Sequence, residues 1–189
     1  MATKKTKTTK AVKKATKKVT KKAAKKSVVK KTAVKALGLK VGQTAPDFSL
    51  HSTDGGSMKL SALRGKRVVL YFYPKDMTSG CTIEAHEFSA IAKQFGKVGT
   101  LVFGIGPDDI ASHHKFIKKD SITYPLLADL GHKVAEKYGI WVEKSMYGKR
   151  YMGIERSTFV VGKDGKLEQV YRKVSPEGHA VCVLTDVSK

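Results

Sequence analysis

The sequence predicts an α/β fold with a central mixed β-sheet flanked by helices and preceded by a disordered basic tail. Residues 67–73 (RVVLYFY) form a β-branched and aromatic run of the kind that is buried in a central strand. Segments with helical spacing of apolar residues alternate with further short apolar runs. Residues 163–166 (KDGK) separate two such runs and predict a hairpin, so the sheet must also contain antiparallel strands.

Charge divides the 189 residues into two parts. Residues 1–36 hold 15 lysines and no acidic residue, whereas the rest of the chain carries a net charge of only +6. We therefore assign residues 1–38 to a basic tail and residues 39–189 to one globular domain. Two cysteines exclude a disulfide scaffold, and no apolar run is long enough for a membrane span or resembles a signal peptide. These features favour a cytoplasmic protein in a reducing compartment.

The tail repeats lysine doublets every four residues between positions 13 and 26. Like charges four residues apart repel each other on a helix, so we expect the free tail to be disordered. One interpretation is non-specific binding of DNA or RNA through residues 1–36 by counterion release. In composition and rhythm the tail resembles the lysine-rich tails of linker histones. The alternative is a solubilising charged tail without a partner.

The elements of the domain follow from local patterns. Residues 43–50 predict a loop and a short strand, and the glycines at positions 55 and 56 predict a turn. Residues 59–63 predict a helical turn before the buried strand. A helix follows, because several apolar residues share one helical face: Ile83, Phe88, Ile91, Ala92 and Phe95. The later elements are a strand (100–105), a helix (110–118), a short strand or its approach (124–127), a helix (133–138), the hairpin strands (157–161 and 167–171) and a last helix (176–184).

Cys81 follows the buried strand and a seven-residue loop, in the first turn of the predicted helix. The positive end of a helix stabilises a thiolate at such a position and makes it nucleophilic. Thr78 places a hydroxyl three residues earlier, and Gly80 lets the backbone approach closely. The alternative interpretation of a lone cysteine is a small buried apolar residue.

Residues 73–85 (YPKDMTSGCTIEA) resemble the active-site loop of the peroxiredoxins, whose pattern Pro-x-x-x-Thr-x-x-Cys falls on Pro74, Thr78 and Cys81. Residues 153–161 (GIERSTFVV) are similar to the strand that carries the catalytic arginine of the family, which falls on Arg156. Three further segments are similar, namely APDF (45–48), SHHKF (112–116) and YPLLAD (124–129). The nearest branch is the bacterioferritin-comigratory, or Q-type, peroxiredoxins.

This resemblance implies a thioredoxin-like fold and a thiol-dependent peroxidase that reduces hydrogen peroxide and organic hydroperoxides without a cofactor. Cys81 would attack the peroxide and become a sulfenic acid. Thr78 would hydrogen-bond the thiolate and the peroxide, and Pro74 would shield the sulfur from water. Arg156 would supply a fixed positive charge. The branch also implies a monomer or weak dimer.

Two positions depart from the pattern of the branch. Ser79 replaces a proline that many relatives carry before Gly-Cys, and we expect it to cap the helix. His86 stands where many relatives carry a resolving cysteine, and we interpret it as a solvated histidine. We therefore predict one-cysteine chemistry, in which thioredoxin or another external thiol reduces Cys81. Cys182 is interpreted as a packed residue of the last helix.

Other interpretations remain open at this point. Glu84 either anchors the first helical turn, interacts with Arg156, or is a plain surface carboxylate. The histidines lack the Cys/His spacing of a zinc site, and no Cys-x-x-Cys motif of a disulfide reductase is present. A second class of function is a nucleic-acid-binding or compaction protein whose domain acts as a redox sensor or structural body. A DNA-binding tail would place the protein at the nucleoid, or in the nucleus of a eukaryote.

Overall fold

A computed structural model describes residues 38–189, and the expectations for residues 1–37 lie outside the described residues. The strands are β1 (Ser49–Ser52), β2 (Ser57–Lys59), β3 (Arg67–Phe72), β4 (Thr100–Gly106), β5 (Leu126–Ala128), β6 (Trp141–Met146), β7 (Lys149–Ile154), β8 (Ser157–Val161) and β9 (Leu167–Arg172). The helices are α1 (Ser79–Lys97), α2 (Ile110–Asp120), α3 (Lys133–Lys137) and α4 (His179–Val187), with a 3-10 turn at Leu60–Leu63. None of these helices is both long and apolar enough to span a membrane.

Seven strands form one mixed sheet in the order β2-β1-β5-β4-β3-β8-β9, which confirms the predicted class. Strands β3, β4 and β5 run parallel, as helical connections between them require. Strand β8 pairs antiparallel with β3 and with β9, and β1 pairs antiparallel with β2 and β5. The buried run that begins at Arg67 is therefore an interior strand of the sheet, between β4 and β8.

Alternation along β3 divides the core into two layers. Val68, Leu70 and Phe72 belong to one buried cluster, whereas Val69 and Tyr71 belong to the other. The second cluster also contains Cys81 and the apolar faces of α1 and α4, which pack against each other. Strand β3 thus contributes side chains to the cluster that contains Cys81, and the loop that leads to Cys81 follows this strand.

The hairpin of β6 and β7 is a separate two-stranded sheet that the sequence patterns did not predict. Most of its side chains are half-buried or exposed, so no alternation of apolar and polar residues marks the strands. Tyr147 and Gly148 form its two-residue turn, both with positive φ (52° and 75°), as a type I′ turn requires.

Several predicted boundaries shift. Helix α1 begins two residues before Cys81, at Ser79. Helix α4 begins at His179 rather than at residue 176, because Gly178 takes a left-handed conformation (φ 73°) and occupies the N-cap. The short strand predicted at 124–127 is β5, and the short strand β2 was not predicted.

Candidate active site

Cys81 is the third residue of α1 and is only 1% exposed. The loop between β3 and α1 enters the helix through Met77, which has a left-handed backbone (φ 56°) that is uncommon for a residue other than glycine. This sharp turn brings the chain from the end of the central strand into the first turn of the helix. The cysteine is consequently held by two rigid elements at the end of the sheet.

Thr78, rather than Ser79, occupies the N-cap of α1, so the predicted cap is wrong. Ser79 already has helical geometry, and the Thr78 hydroxyl donates to the Lys75 carbonyl at 3.2 Å instead of capping the helix. Among the described residues no hydrogen bond joins Thr78 to the sulfur. Pro74 is half-buried and lies just beyond the end of β3, at the other end of the loop.

Arg156 contacts the sulfur directly. It lies between β7 and β8, and its Nη2 donates to Cys81 Sγ at 3.3 Å. A Cβ on Gly80 would lie 3.3 Å from the same nitrogen, so a glycine there lets the guanidinium reach the sulfur. Burial lowers the pKa of Arg156, but Glu84 and Cys81 raise it more, and the net shift is upward. The structure therefore places a permanent cation against the cysteine.

Glu84 is the second partner of that cation. Arg156 Nη1 donates to Glu84 Oε2, which confirms the expected interaction and makes the surface interpretation wrong, because Glu84 is fully buried. Burial, with a smaller contribution from Glu87, raises the pKa of Glu84 to about 7 against the opposing effect of Arg156. Its Oε1 is buried without a hydrogen-bond partner among the described residues.

Lys144 is a second cation near the sulfur and was missed from the sequence because it lies in the unpredicted hairpin. Its Nζ donates to the Ile154 carbonyl at 2.5 Å. Burial and the charge of Arg156 lower the pKa of Lys144, whereas Glu155 and Cys81 raise it. The side chain is therefore within electrostatic reach of Cys81.

A buried network fixes the loop before the cysteine. His113 Nδ1 lies 2.8 Å from Asp76 Oδ2, and both side chains are almost completely buried. Tyr73 and Ser112 donate hydroxyls to the same carboxylate at 2.8 and 2.7 Å. The Asp76 amide donates to Asp108 Oδ2 at 2.9 Å, which ties the loop to the start of α2. The sequence placed His113 in the SHHKF segment and argued against a zinc site, but it did not predict the contact with Asp76.

The structure also places three further residues that the sequence singled out. His179 is buried and lies 2.7 Å from the Thr158 hydroxyl, and burial lowers its pKa to about 4. His86 lies 3.4 Å from an Asp120 oxygen with a side chain 55% exposed, which agrees with a solvated histidine. Cys182 is exposed on α4, so its interpretation as a packed residue is wrong.

The family model described as AhpC/TSA family matches residues 41–170, and the chain belongs to this family. The chain is similar to Peroxiredoxin Bcp of Bacillus subtilis (strain 168), with 44% identity over 154 residues, 80% of this chain and 98% of that protein. It is 47% identical over 146 residues to the putative peroxiredoxin bcp of Helicobacter pylori (strain J99), covering 77% and 96% of the two chains.

Solved structures give the same result. Peroxiredoxin Q of Xanthomonas campestris superimposes with a TM-score of 0.74 and 37% identity over 78% of this chain and 96% of that one. These comparisons confirm the resemblance to the Bcp, or Q-type, branch and the thioredoxin-like peroxiredoxin fold. The protein is thus a thiol-dependent peroxidase of the peroxiredoxin family.

Proposed function

We propose that Cys81 is the peroxidatic cysteine and that it reduces hydrogen peroxide and organic hydroperoxides. The contact of 3.3 Å between Arg156 Nη2 and Cys81 Sγ is the observation that carries the proposal, because a fixed cation there favours the thiolate over the thiol. A protein of similar structure, the bacterioferritin comigratory protein of Xanthomonas campestris, has alkyl peroxide reduction activity, which supports the same chemistry here.

The other site residues have supporting roles in this proposal. Arg156 polarises the O–O bond as negative charge develops on the departing oxygen. The Thr78 hydroxyl, at the N-cap of α1, turns from the Lys75 carbonyl towards the thiolate and the incoming peroxide. Pro74 closes the far end of the loop and limits access of water to the sulfur.

The proposal includes one-cysteine chemistry with an external reductant. The residue five positions after Cys81 is His86, which lies against Asp120, and the second cysteine, Cys182, is exposed on α4. Thioredoxin or another thiol would attack the Cys81 sulfenic acid, form a mixed disulfide and then resolve it with a second thiol. We propose a monomer or weak dimer for this reaction.

Two cysteine variants test the chemistry. We expect Cys81→Ser to abolish peroxide consumption with either thioredoxin or dithiothreitol as the reductant, because no thiolate remains in the site. We expect Cys182→Ser, the matched control, to keep the rate with both reductants. Full activity of Cys81→Ser would contradict the assignment, and loss of activity in Cys182→Ser would contradict one-cysteine chemistry.

The charge of the tail supports a second function. Residues 1–36 carry 15 lysines without one acidic residue, and we propose that this segment binds DNA or RNA non-specifically and holds the peroxidase near nucleic acid. The site of action would then be the cytoplasm, with association with the nucleoid, or the nucleus in a eukaryote. Under the competing hypothesis the protein mainly binds or compacts nucleic acid, and the domain serves as redox sensor or structural body.

Binding of a labelled DNA duplex at several salt concentrations separates these hypotheses. Deletion of residues 1–36 should abolish binding and its salt dependence, since each lost phosphate contact removes about 0.9 from the slope of log K against log salt. The deleted protein should keep its peroxidase rate. Unchanged DNA binding would contradict the tail proposal, and slow peroxide turnover of the intact chain despite tight binding would favour the compaction hypothesis.

A further inference from the structure

The Arg156 guanidinium has two buried acidic partners, a thiol and a carboxyl group. One nitrogen contacts the Cys81 sulfur and another contacts Glu84 Oε2, and both partners are at most 1% exposed. If both were ionised, one positive charge would have to offset two buried negative charges. Burial of an uncompensated charge is costly, so ionisation of one partner opposes ionisation of the other.

The surroundings of Glu84 offer little other compensation. The groups that act on its charge are Arg156 from the β7–β8 connection, Glu87 from the next turn of α1, and the hydroxyls of Tyr71 and Tyr124 from the sheet side. Only Arg156 among these is a cation. Lys144, the other nearby cation, acts on Cys81 and Arg156 and donates to a backbone carbonyl.

The unpaired oxygen of Glu84 points to the protonated form. Oε2 is satisfied by Arg156, whereas the buried Oε1 has no hydrogen-bond donor among the described residues. A carboxylate oxygen without a donor loses its hydration without compensation, and a proton on that oxygen removes the charge. The raised pKa of Glu84, about 7, agrees with this geometry.

We propose, building on the proposed role of Cys81, that Glu84 carries a proton while Cys81 is a thiolate and releases it when the sulfur becomes a sulfenic acid. Glu84 does not touch the peroxide and acts through Arg156 as a positioning residue whose charge follows that of the sulfur. The net charge around Arg156 then stays constant through the reaction. A buried site gains from this because these three side chains carry no uncompensated charge before or after oxidation of the sulfur.

The proton and electron balance closes. Cys81 S⁻ attacks one oxygen of ROOH, the S–O bond forms, the O–O bond breaks, and RO⁻ departs. The sulfur is oxidised by two electrons and the peroxide is reduced by two. The proton released by Glu84 equals the one that RO⁻ needs to become ROH, so no net proton is taken from solution. Reduction of the sulfenic acid by two external thiols yields a disulfide, water and Cys81 S⁻ with a protonated Glu84.

Proton uptake during a single oxidation tests the inference. Reduced protein receives one equivalent of hydrogen peroxide in weakly buffered solution with a pH indicator, and thiolate content is recorded beforehand by ultraviolet absorbance. Near pH 7 we expect wild type to take up less than about half a proton per thiolate oxidised, and Glu84→Gln to take up about one. At about pH 9, where Glu84 is ionised throughout, wild type should approach the variant.

A second measurement uses the wild-type protein alone, in case Glu84→Gln does not fold. Infrared difference spectra before and after peroxide should show the loss of a protonated carboxyl band near neutral pH. Glu143→Gln, on the exposed surface of the hairpin, is the matched control and should behave as wild type in both experiments.

Three results would overturn the inference: uptake of one full proton by wild type near pH 7, no protonated carboxyl band before oxidation, or no thiolate in the reduced protein. If Cys81→Ser still consumed peroxide, the proposed function itself would fail. If Cys81→Ser is inactive and the proton counts of wild type and Glu84→Gln are equal, only the proton exchange is wrong.

Discussion

Two buried carboxylates flank Cys81 in sequence, and their environments differ in the number of hydrogen-bond donors. Asp76 accepts from Tyr73, Ser112 and His113. Burial raises its pKa, but these three partners lower it more, and the net shift is downward. Glu84 has Arg156 as its only hydrogen-bond partner among the described residues, and burial raises its pKa to about 7. Donor count, rather than burial alone, decides which carboxylate keeps its charge.

This difference in hydrogen-bond donors indicates separate roles for the Asp76–His113 pair and the Glu84–Arg156 pair. The Asp76–His113 pair joins the loop before the cysteine to α2, with Nδ1 of the imidazole facing the Asp76 carboxylate and Nε2 facing the Leu127 carbonyl. Both oxygens of Asp76 have hydrogen-bond partners, so the pair is suited to hold the loop in one conformation. The Glu84–Arg156 pair touches the reacting sulfur and retains an unpaired oxygen, so its charge can respond to the chemistry.

Asp76→Asn should have the largest effect on stability. Tyr73 and Ser112 donate to different oxygens of Asp76, and the nitrogen of an asparagine amide cannot accept, so a buried hydroxyl is left without its acceptor, which typically costs about 1–3 kcal/mol. Urea denaturation at neutral pH measures the loss, with Asp164→Asn, an exposed carboxylate, as the control. A loss of stability no greater than that of the control would contradict the assignment of the Asp76 network as a rigid support of the loop before Cys81.

Among the residues around Cys81, Arg156→Met should have the largest effect on catalysis. We expect kcat/KM for hydrogen peroxide to fall by about 10²–10³-fold, comparable to the loss of one transition-state donor elsewhere. Arg150→Met, which removes an exposed arginine of the hairpin, is the control. Adding Glu84→Gln to Arg156→Met should recover stability but not rate, because it removes only the buried carboxylate that lost its partner. Recovery of the rate would mean that Arg156 compensates the charge of Glu84 and does not act on the sulfur or the peroxide.

Glu84→Gln should change the pH dependence of stability. The pKa of Glu84 rises from 4.5 to about 7 on folding, so the native state binds more protons than the unfolded state between these values. Wild type therefore loses stability as pH rises through this window, by up to about 3 kcal/mol. The variant should lack this slope, as measured by urea denaturation across the window. Parallel curves for the two proteins would contradict the charge assigned to Glu84.

Lys144→Met should have the smallest effect. The lysine is half-buried and has no hydrogen bond to the sulfur, so its charge is partly screened. We expect a loss of roughly two- to five-fold in kcat/KM at low salt, equivalent to about 1 kcal/mol or less, that shrinks as salt is added. Stopped-flow oxidation at two ionic strengths measures it. A loss as large as that of Arg156→Met would place Lys144 in direct contact with the peroxide.

The sequence was sufficient for most of the fold, because the main elements carry strong local signals. The apolar run that starts at Arg67 could only be a buried strand, and the spacing around Phe88 could only be one face of a helix. The β6–β7 hairpin could not be found in this way. Its residues face solvent on much of their surface, and no apolar periodicity remains to be recognised.

The site was predictable only where a known pattern existed. Cys81 and Arg156 came from the family motif, and the structure brings them together across 75 residues of sequence. The Asp76–His113 pair joins residues 37 positions apart through packing of α2 against the sheet, and no local feature indicates it. The N-cap was misplaced because Thr78 and Ser79 are both common capping residues, and only the backbone geometry separates them.

The most direct test of the central claim is the intact mass of the reduced protein after one equivalent of hydrogen peroxide, with and without a sulfenic-acid trap. We predict a species heavier by one oxygen, with the trap attached at Cys81. A species lighter by two hydrogens would mean that Cys182 reaches Cys81 and forms an intrachain disulfide. That result, or no change in mass, would contradict one-cysteine chemistry at this site.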